Sequence, residues 1–163
     1  MNSKWASTGC LIVLVMGMFL TSTRSLYAAE NRPIIDGSYL THDKESIGYD
    51  TKITRGEDLL TGYSKCVVLG PGKLYAGGTT IAAHTVKSVQ VAVTIERAQE
   101  GDTAWEIYDG WHKESLNTDR VGSNRSLDVE GGYYYRARST HAANSDVSSS
   151  FTNGVYVRRP IEY

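Results

Sequence analysis

The sequence predicts an all-β protein: a single antiparallel β-sandwich of about seven strands, preceded by a cleaved export signal. Three observations carry that expectation. First, in "SVQVAVTIER" (88–97) Val89, Val91, Val93 and Ile95 alternate with Gln90, Ala92, Thr94 and Glu96. Side chains of a strand point to opposite faces in turn, so this segment has one apolar face and one that meets water. A helix would scatter the same valines around its circumference, and β-branched residues lose rotamer freedom there. Second, strand-like stretches recur roughly every 10–15 residues, and the turn-forming clusters "QEGD", "EGG", "HAANSD" and "TNG" lie between them. Third, no stretch between them has the 3.6-residue apolar period of an amphipathic helix.

The elements follow in order. Residues 1–28 read as a signal peptide: Lys4 near the start, the apolar run "LIVLVMGMFL", then a polar segment with small residues near Ala28. The apolar run is about half of the ~20 residues that a bilayer span requires, so no stable membrane span is expected after cleavage. Cleavage leaves roughly 135 residues, the size of one domain, and takes the 17 basic residues to 15 against 18 acidic. That balance offers no excess charge for a nucleic-acid backbone or an anionic membrane surface. Residues 29–61 are polar with no clear period and read as a leader with room for one strand. The sandwich domain is expected over 62–163.

Within it, "KCVVL" and "KLYAGGT" flank the turn "GPG", where Pro71 presets one dihedral and glycine permits positive φ. "TAWEIYDGWH" sets Trp105, Ile107 and Trp111 in phase, "RSLDVE" pairs Leu127 with Val129, and "GVYVRR" pairs Val155 with Val157. Repeated short strands of this kind suit an immunoglobulin- or fibronectin-like sandwich, or a jelly roll. Cys66 is the lone cysteine of the mature chain, so no internal disulfide can form there. In an apolar strand it reads as a small buried residue.

The densest segment is "GGYYYRARSTH" (131–141). On a strand Tyr133, Tyr135 and Ala137 share one face, and Tyr134, Arg136 and Arg138 the other. Arginine is rarely buried unpaired, so the Tyr133 face is assigned to the core and the Tyr134–Arg136–Arg138 face to solvent. Glu96 is a candidate cross-strand partner for one guanidinium group. Tyr and Arg concentrate binding energy at interfaces, which makes Tyr134, Arg136 and Arg138, with His141 closing the strand, candidate binding residues. Trp111 joins them if the "YDGW" segment turns it outward to stack on a sugar ring; the opposite reading makes it a core anchor.

These motifs resemble a family of small secreted proteins of Gram-positive bacteria built around a domain of unknown function. The resemblance rests on Gly132 to Arg136, Arg138, His141, Thr152 and Gly154 to Val157, with Glu96, Arg97, Trp105 and Trp111 upstream. It spans roughly Leu60 to Val157 and departs at Ser139 and Thr140, where that family often has glycine before the histidine. It implies a secreted β domain and no known activity. The segment 127–150 also resembles the last hairpin of fibronectin type III modules, an architectural likeness alone.

Catalytic spacings are not found. His42, His84, His112 and His141 follow no metal-ligand pattern, so no metal or cofactor is expected. There is no nucleophile-elbow motif, and Glu96, Glu106, Asp109 and Glu114 read as surface charges rather than a paired acid and base. The glycine-rich "GPGKLYAGG" lacks phosphate-loop spacing. The expectation is therefore a secreted, non-catalytic protein that binds a cell-envelope polysaccharide or protein. The alternative is a structural or self-assembling matrix component in which a strand pairs with a neighbouring sheet edge; an unrecognised hydrolase comes third.

Overall fold

The computed structural model describes residues 32–51 and 56–160. The signal peptide and its cleavage point fall outside the described residues. The architecture is all-β. Nine strands run β1 (Ile34–Ile35), β2 (Ser38–Thr41), β3 (Glu45–Tyr49), β4 (Leu59–Gly70), β5 (Lys73–Ala98), β6 (Glu106–Asp128), β7 (Tyr133–Ala143), β8 (Asp146–Phe151) and β9 (Gly154–Val157). They form one mixed sheet, ordered β1-β2-β9-β7-β5-β4-β3, with β6 added on β5 and β8 on β7. The expected antiparallel sandwich is corrected on two counts. The sheet curls upon itself as a half-barrel instead of splitting in two, and β2 runs parallel to β9.

The curl originates in β5, a 26-residue strand where the sequence suggests two. Its first half pairs with β4 and its second half with β7, while β6 follows it along both. The register jumps between Ile81 and Val86, and Asn117 opposite adopts φ 52°. A bulge of this kind bends the strand and raises its twist. The bend brings β4 over β7, with the predicted valines between them. Val89, Val91, Val93 and Ile95 are fully buried with Cys66, Leu74, Tyr135, Ala137, Val155 and Val157. The far seam also draws together. Ser148 Oγ donates to Asp50 Oδ2 (3.0 Å), and the Asn153 N–H donates to Ser46 Oγ (2.9 Å). A Cβ at Gly48 would sit on the Phe151 carbonyl oxygen, so only glycine allows β3 this close to β8.

The stretch read as a polar leader holds β1, β2, β3 and the start of β4. "IIDGS" makes a two-residue hairpin: Ile35 pairs with Ser38, and Asp36 and Gly37 have φ 45° and 76°. Positive φ at both central positions is the type I′ turn that Asp-Gly favours. The "GPG" turn forms as read, with Gly70 paired to Lys73 across Pro71 and Gly72.

Trp105, Ile107 and Trp111 do not stay in phase. The register shifts between Ile95 and Glu96, so Tyr108 is the extra residue of a bulge and the faces exchange there. Ile107 is left 71% exposed. Trp111 is half-buried against the main core, while Trp105, before β6 begins, packs against a second cluster of Ile35, Leu40, Ala98 and Tyr134.

Candidate functional site

The five residues singled out in the sequence do not converge on one surface. Arg136 is 1% exposed, Tyr134 7% and His141 0%, which corrects the solvent-facing assignment of the first two. The alternation along β7 is as read, with Tyr135 and Ala137 inside. What differs is that the opposite face is also covered, by the β1–β2 hairpin, Trp105 and Phe151. Arg138 remains partly exposed at 43% of its side chain, and Trp111 is half-buried.

Arg136 is buried because its donors are matched. Nε donates to Glu96 Oε2 (2.6 Å), Nη1 to the Asp36 carbonyl (3.0 Å) and to Ser38 Oγ (2.8 Å), and Nη2 to Asp36 Oδ2 (2.8 Å). The guanidinium plane lies between Trp105 (4.6 Å) and Phe151 (5.4 Å). A planar, weakly hydrated cation with a fixed donor fork suits such a site, and lysine does not. The pairing with Glu96 proposed from sequence therefore exists, though buried. Arg138 Nη2 adds a second bond to Asp36 Oδ2 (3.0 Å). The hydrogen bond and charge of Arg136 hold the Asp36 carboxyl below the ordinary carboxylate range. The network fastens the hairpin to the sheet, helped by the Trp105 indole N–H donating to the Ile35 carbonyl (2.8 Å) and Ser38 Oγ donating to the Thr152 carbonyl (2.8 Å).

Tyr134 belongs to an aromatic group with His42 and Tyr156, their rings 5.8 and 5.1 Å from its own. Trp111 carries the Arg125 guanidinium over its ring at 4.7 Å, and its indole N–H is buried with no hydrogen-bond partner among the described residues.

His141 sits in a second buried polar network, which no local signal in the chain announces. Thr80 Oγ1 donates to the Gln90 carbonyl (2.8 Å) and lies 2.9 Å from His141 Nδ1. That hydroxyl proton is committed, so Nδ1 carries the ring proton and donates to Thr80, leaving Nε2 to accept from Ser150 Oγ at 2.8 Å. Ser64 Oγ lies 2.7 Å from Ser150 Oγ and donates to Ser139 Oγ (2.8 Å). Burial pulls the His141 pKa down to about 4, against the weaker opposing pull of Asp50. The ring is thus neutral, as the tautomer requires. A serine hydroxyl against a neutral imidazole resembles a nucleophile and its base. Here Ser64, Ser139, Ser150 and His141 are all at most 2% exposed and bond one another across the curl, joining β4 to β7 and β8.

The largest unpartnered feature is an edge. β6 spans 23 residues and among the described residues pairs only with β5. Its other side presents a long row of backbone donors and acceptors. Along it run Glu106, Asp109, Lys113, Glu114, Asp119, Arg120, Arg125 and Asp128, with Leu116 63% exposed. The two end carboxylates are paired within the chain, Glu106 with Arg97 (2.8 Å) and Asp128 with Lys73 (2.9 Å).

No family model matches the chain, so the likeness to the Gram-positive secreted family stays with the motifs that suggested it. No curated protein matches either. Among solved structures, the solution structure of R. palustris CsgH aligns at 20% identity over 53% of this chain and 84% of that one, with a TM-score of 0.33. That overlap is too loose to define a shared topology. No helix among the described residues is long and apolar enough to cross a membrane.

Proposed function

We propose that this is an exported, non-catalytic β-protein with a structural, self-assembling role, and that two copies associate through the open edge of β6. The observation that supports the reading is the 23-residue strand that, among the described residues, is hydrogen-bonded on one side only. A two-fold axis normal to the sheet pairs residues whose numbers share a constant sum. Centred on Asn117, it aligns the whole of β6 with its own copy and sets Glu114 opposite Arg120 and Asp109 opposite Arg125, each twice, while Glu106 falls opposite Asp128, two carboxylates that Arg97 and Lys73 already balance. A bend toward one face of the sheet is preserved by such an axis, so the kink at Asn117 does not oppose the pairing.

Opposite-charge cross-strand pairs contribute roughly 0.2–1 kcal/mol each, so four give a weak dimer, reversible over ordinary concentrations. Sedimentation velocity of the mature protein over a hundredfold concentration range is expected to show a rising sedimentation coefficient. Glu114→Arg shifts the protein toward monomer by tenfold or more in dissociation constant, and the swap Glu114→Arg with Arg120→Glu restores association. A strict monomer throughout, or a swap that fails to restore association, overturns the reading.

A further inference from the structure

A cleft of about 290 Å³ opens between the β2–β3 connection, the β4–β5 turn and the end of β9. His42, Asp43, Lys44, Leu69, Tyr156 and Arg158 are on its walls. The volume stands just under the range of small-molecule sites, about 300–1,000 Å³. Its walls are fixed from the backbone outward. The Val68 N–H donates to the Lys44 carbonyl (2.8 Å) and the Gly72 N–H to the Arg158 carbonyl (3.0 Å). Tyr156 is in ladder register with Tyr134, and its ring lies 4.9 Å from that of His42. Such a site is formed before a ligand arrives, which lowers the ordering penalty of binding.

The chemistry of the lining is selective. Val68, Leu69, Pro71 and the Tyr156 ring give an apolar surface, and Lys44 and Arg158 stand on the rim. Neither cation has a carboxylate within ion-pair distance among the described residues. Asp43 shares the rim beside these two cations. Two cations on one rim favour an anionic ligand. A planar carboxylate pairs with a guanidinium fork, and an aromatic face packs on the C–H side of a sugar.

We propose that this cleft binds a carboxylated sugar, a hexuronate unit of an acidic polysaccharide. The site is separate from the β6 edge and does not depend on the self-association proposed above. Lys44 and Arg158 are exposed, so alanine variants fold; thermal melts check this. The probe is tri-galacturonate, titrated into ¹⁵N-labelled mature protein. Expected are shifts confined to the amides of 42–44, 68–72 and 156–158, saturating in the millimolar range or below. The methyl-esterified trimer loses affinity at least tenfold, and so does Lys44→Ala with Arg158→Ala. Tri-glutamate serves as an acidic peptide control and binds at least tenfold more weakly. Absence of binding at 20 mM, equal binding of the methyl ester or of tri-glutamate, affinity unchanged in the double variant, or shifts centred elsewhere overturns the proposal.

Discussion

Replacing Arg136 with leucine tests the central feature of the fold. The guanidinium is 1% exposed and makes four hydrogen bonds, one of them to a Glu96 carboxylate that is itself only 9% exposed at the side chain. Leucine fills part of the volume and leaves Glu96 buried, with Arg138 Nη1 at 4.0 Å as its remaining cation. Removing one partner of a buried pair costs about 3–5 kcal/mol, since the other charge stays desolvated. For a domain of this size that lowers the melting temperature by roughly 10–20 °C, and it consumes a large part of an ordinary stability of ~5–15 kcal/mol. Asp36→Asn is milder, about 1 kcal/mol or less, because the Asp36 side chain is 59% exposed. Removing both charges with Glu96→Leu and Arg136→Leu is less damaging than the two single losses added, by about 1–3 kcal/mol. Urea denaturation of the wild type, the three single variants and the double variant measures all of this. An Arg136→Leu loss below about 1 kcal/mol, or strict additivity in the pair, refutes the assignment of Arg136 as a buried clip.

Two further outcomes follow from burial. His141 has its pKa pulled down to about 4 from an ordinary 6.5, so on acidification the unfolded chain takes the proton first: stability is full above pH 6.5 and falls by about 3 kcal/mol as the pH drops to 4. In urea melts across that window His141→Gln flattens the slope, and an unchanged slope would assign the pH dependence to other groups. Cys66 is fully buried and its thiol is pushed up to about 12, so in the native protein it reacts with a disulfide reagent only as fast as the chain opens, whereas in urea it reacts at once; fast native labelling would contradict the packing of β4.

How much of this was legible in the sequence depends on the range of each interaction. The alternation Val89 to Ile95 and the turn at Pro71 are local signals, and the structure follows them. The Asp-Gly pair at 36–37 was an equally local signal for a hairpin, and the polarity around it concealed it. The burial of Arg136 was not legible. Alternation tells which side chains share a face, but not what covers that face, and the groups that satisfy Arg136 lie 40 and 100 positions away. Likewise Thr80 and Ser64 reach His141 and Ser139 only because β5 bends between residues 81 and 86, a bulge with no Gly or Pro to announce it. Trp105 and Trp111 part company for the same reason, at the bulge of Tyr108.

The two polar networks also bear on why β6 stands open. In a curled sheet every edge must be paired, covered or guarded. β9 is paired by β2, and that pairing is secured by Arg136, Ser38 and Trp105 through the β1–β2 hairpin. β4 is paired by β3, and β3 meets β8 through Ser46, Asp50 and the side-chain-free Gly48. The chain thus commits two short strands, a buried ion pair and a glycine to closing three of its margins. Beside such provision, an open edge of 23 residues is not explained by a general tolerance for open edges. Nor is its charge pattern that of simple repulsion, since its end carboxylates are already neutralised by Arg97 and Lys73, and Glu114 and Asp109 are mirrored about Asn117 by Arg120 and Arg125. A strand side of this length without a ladder partner among the described residues, able to form four opposite-charge pairs with its two-fold copy, is what supports the association proposed above.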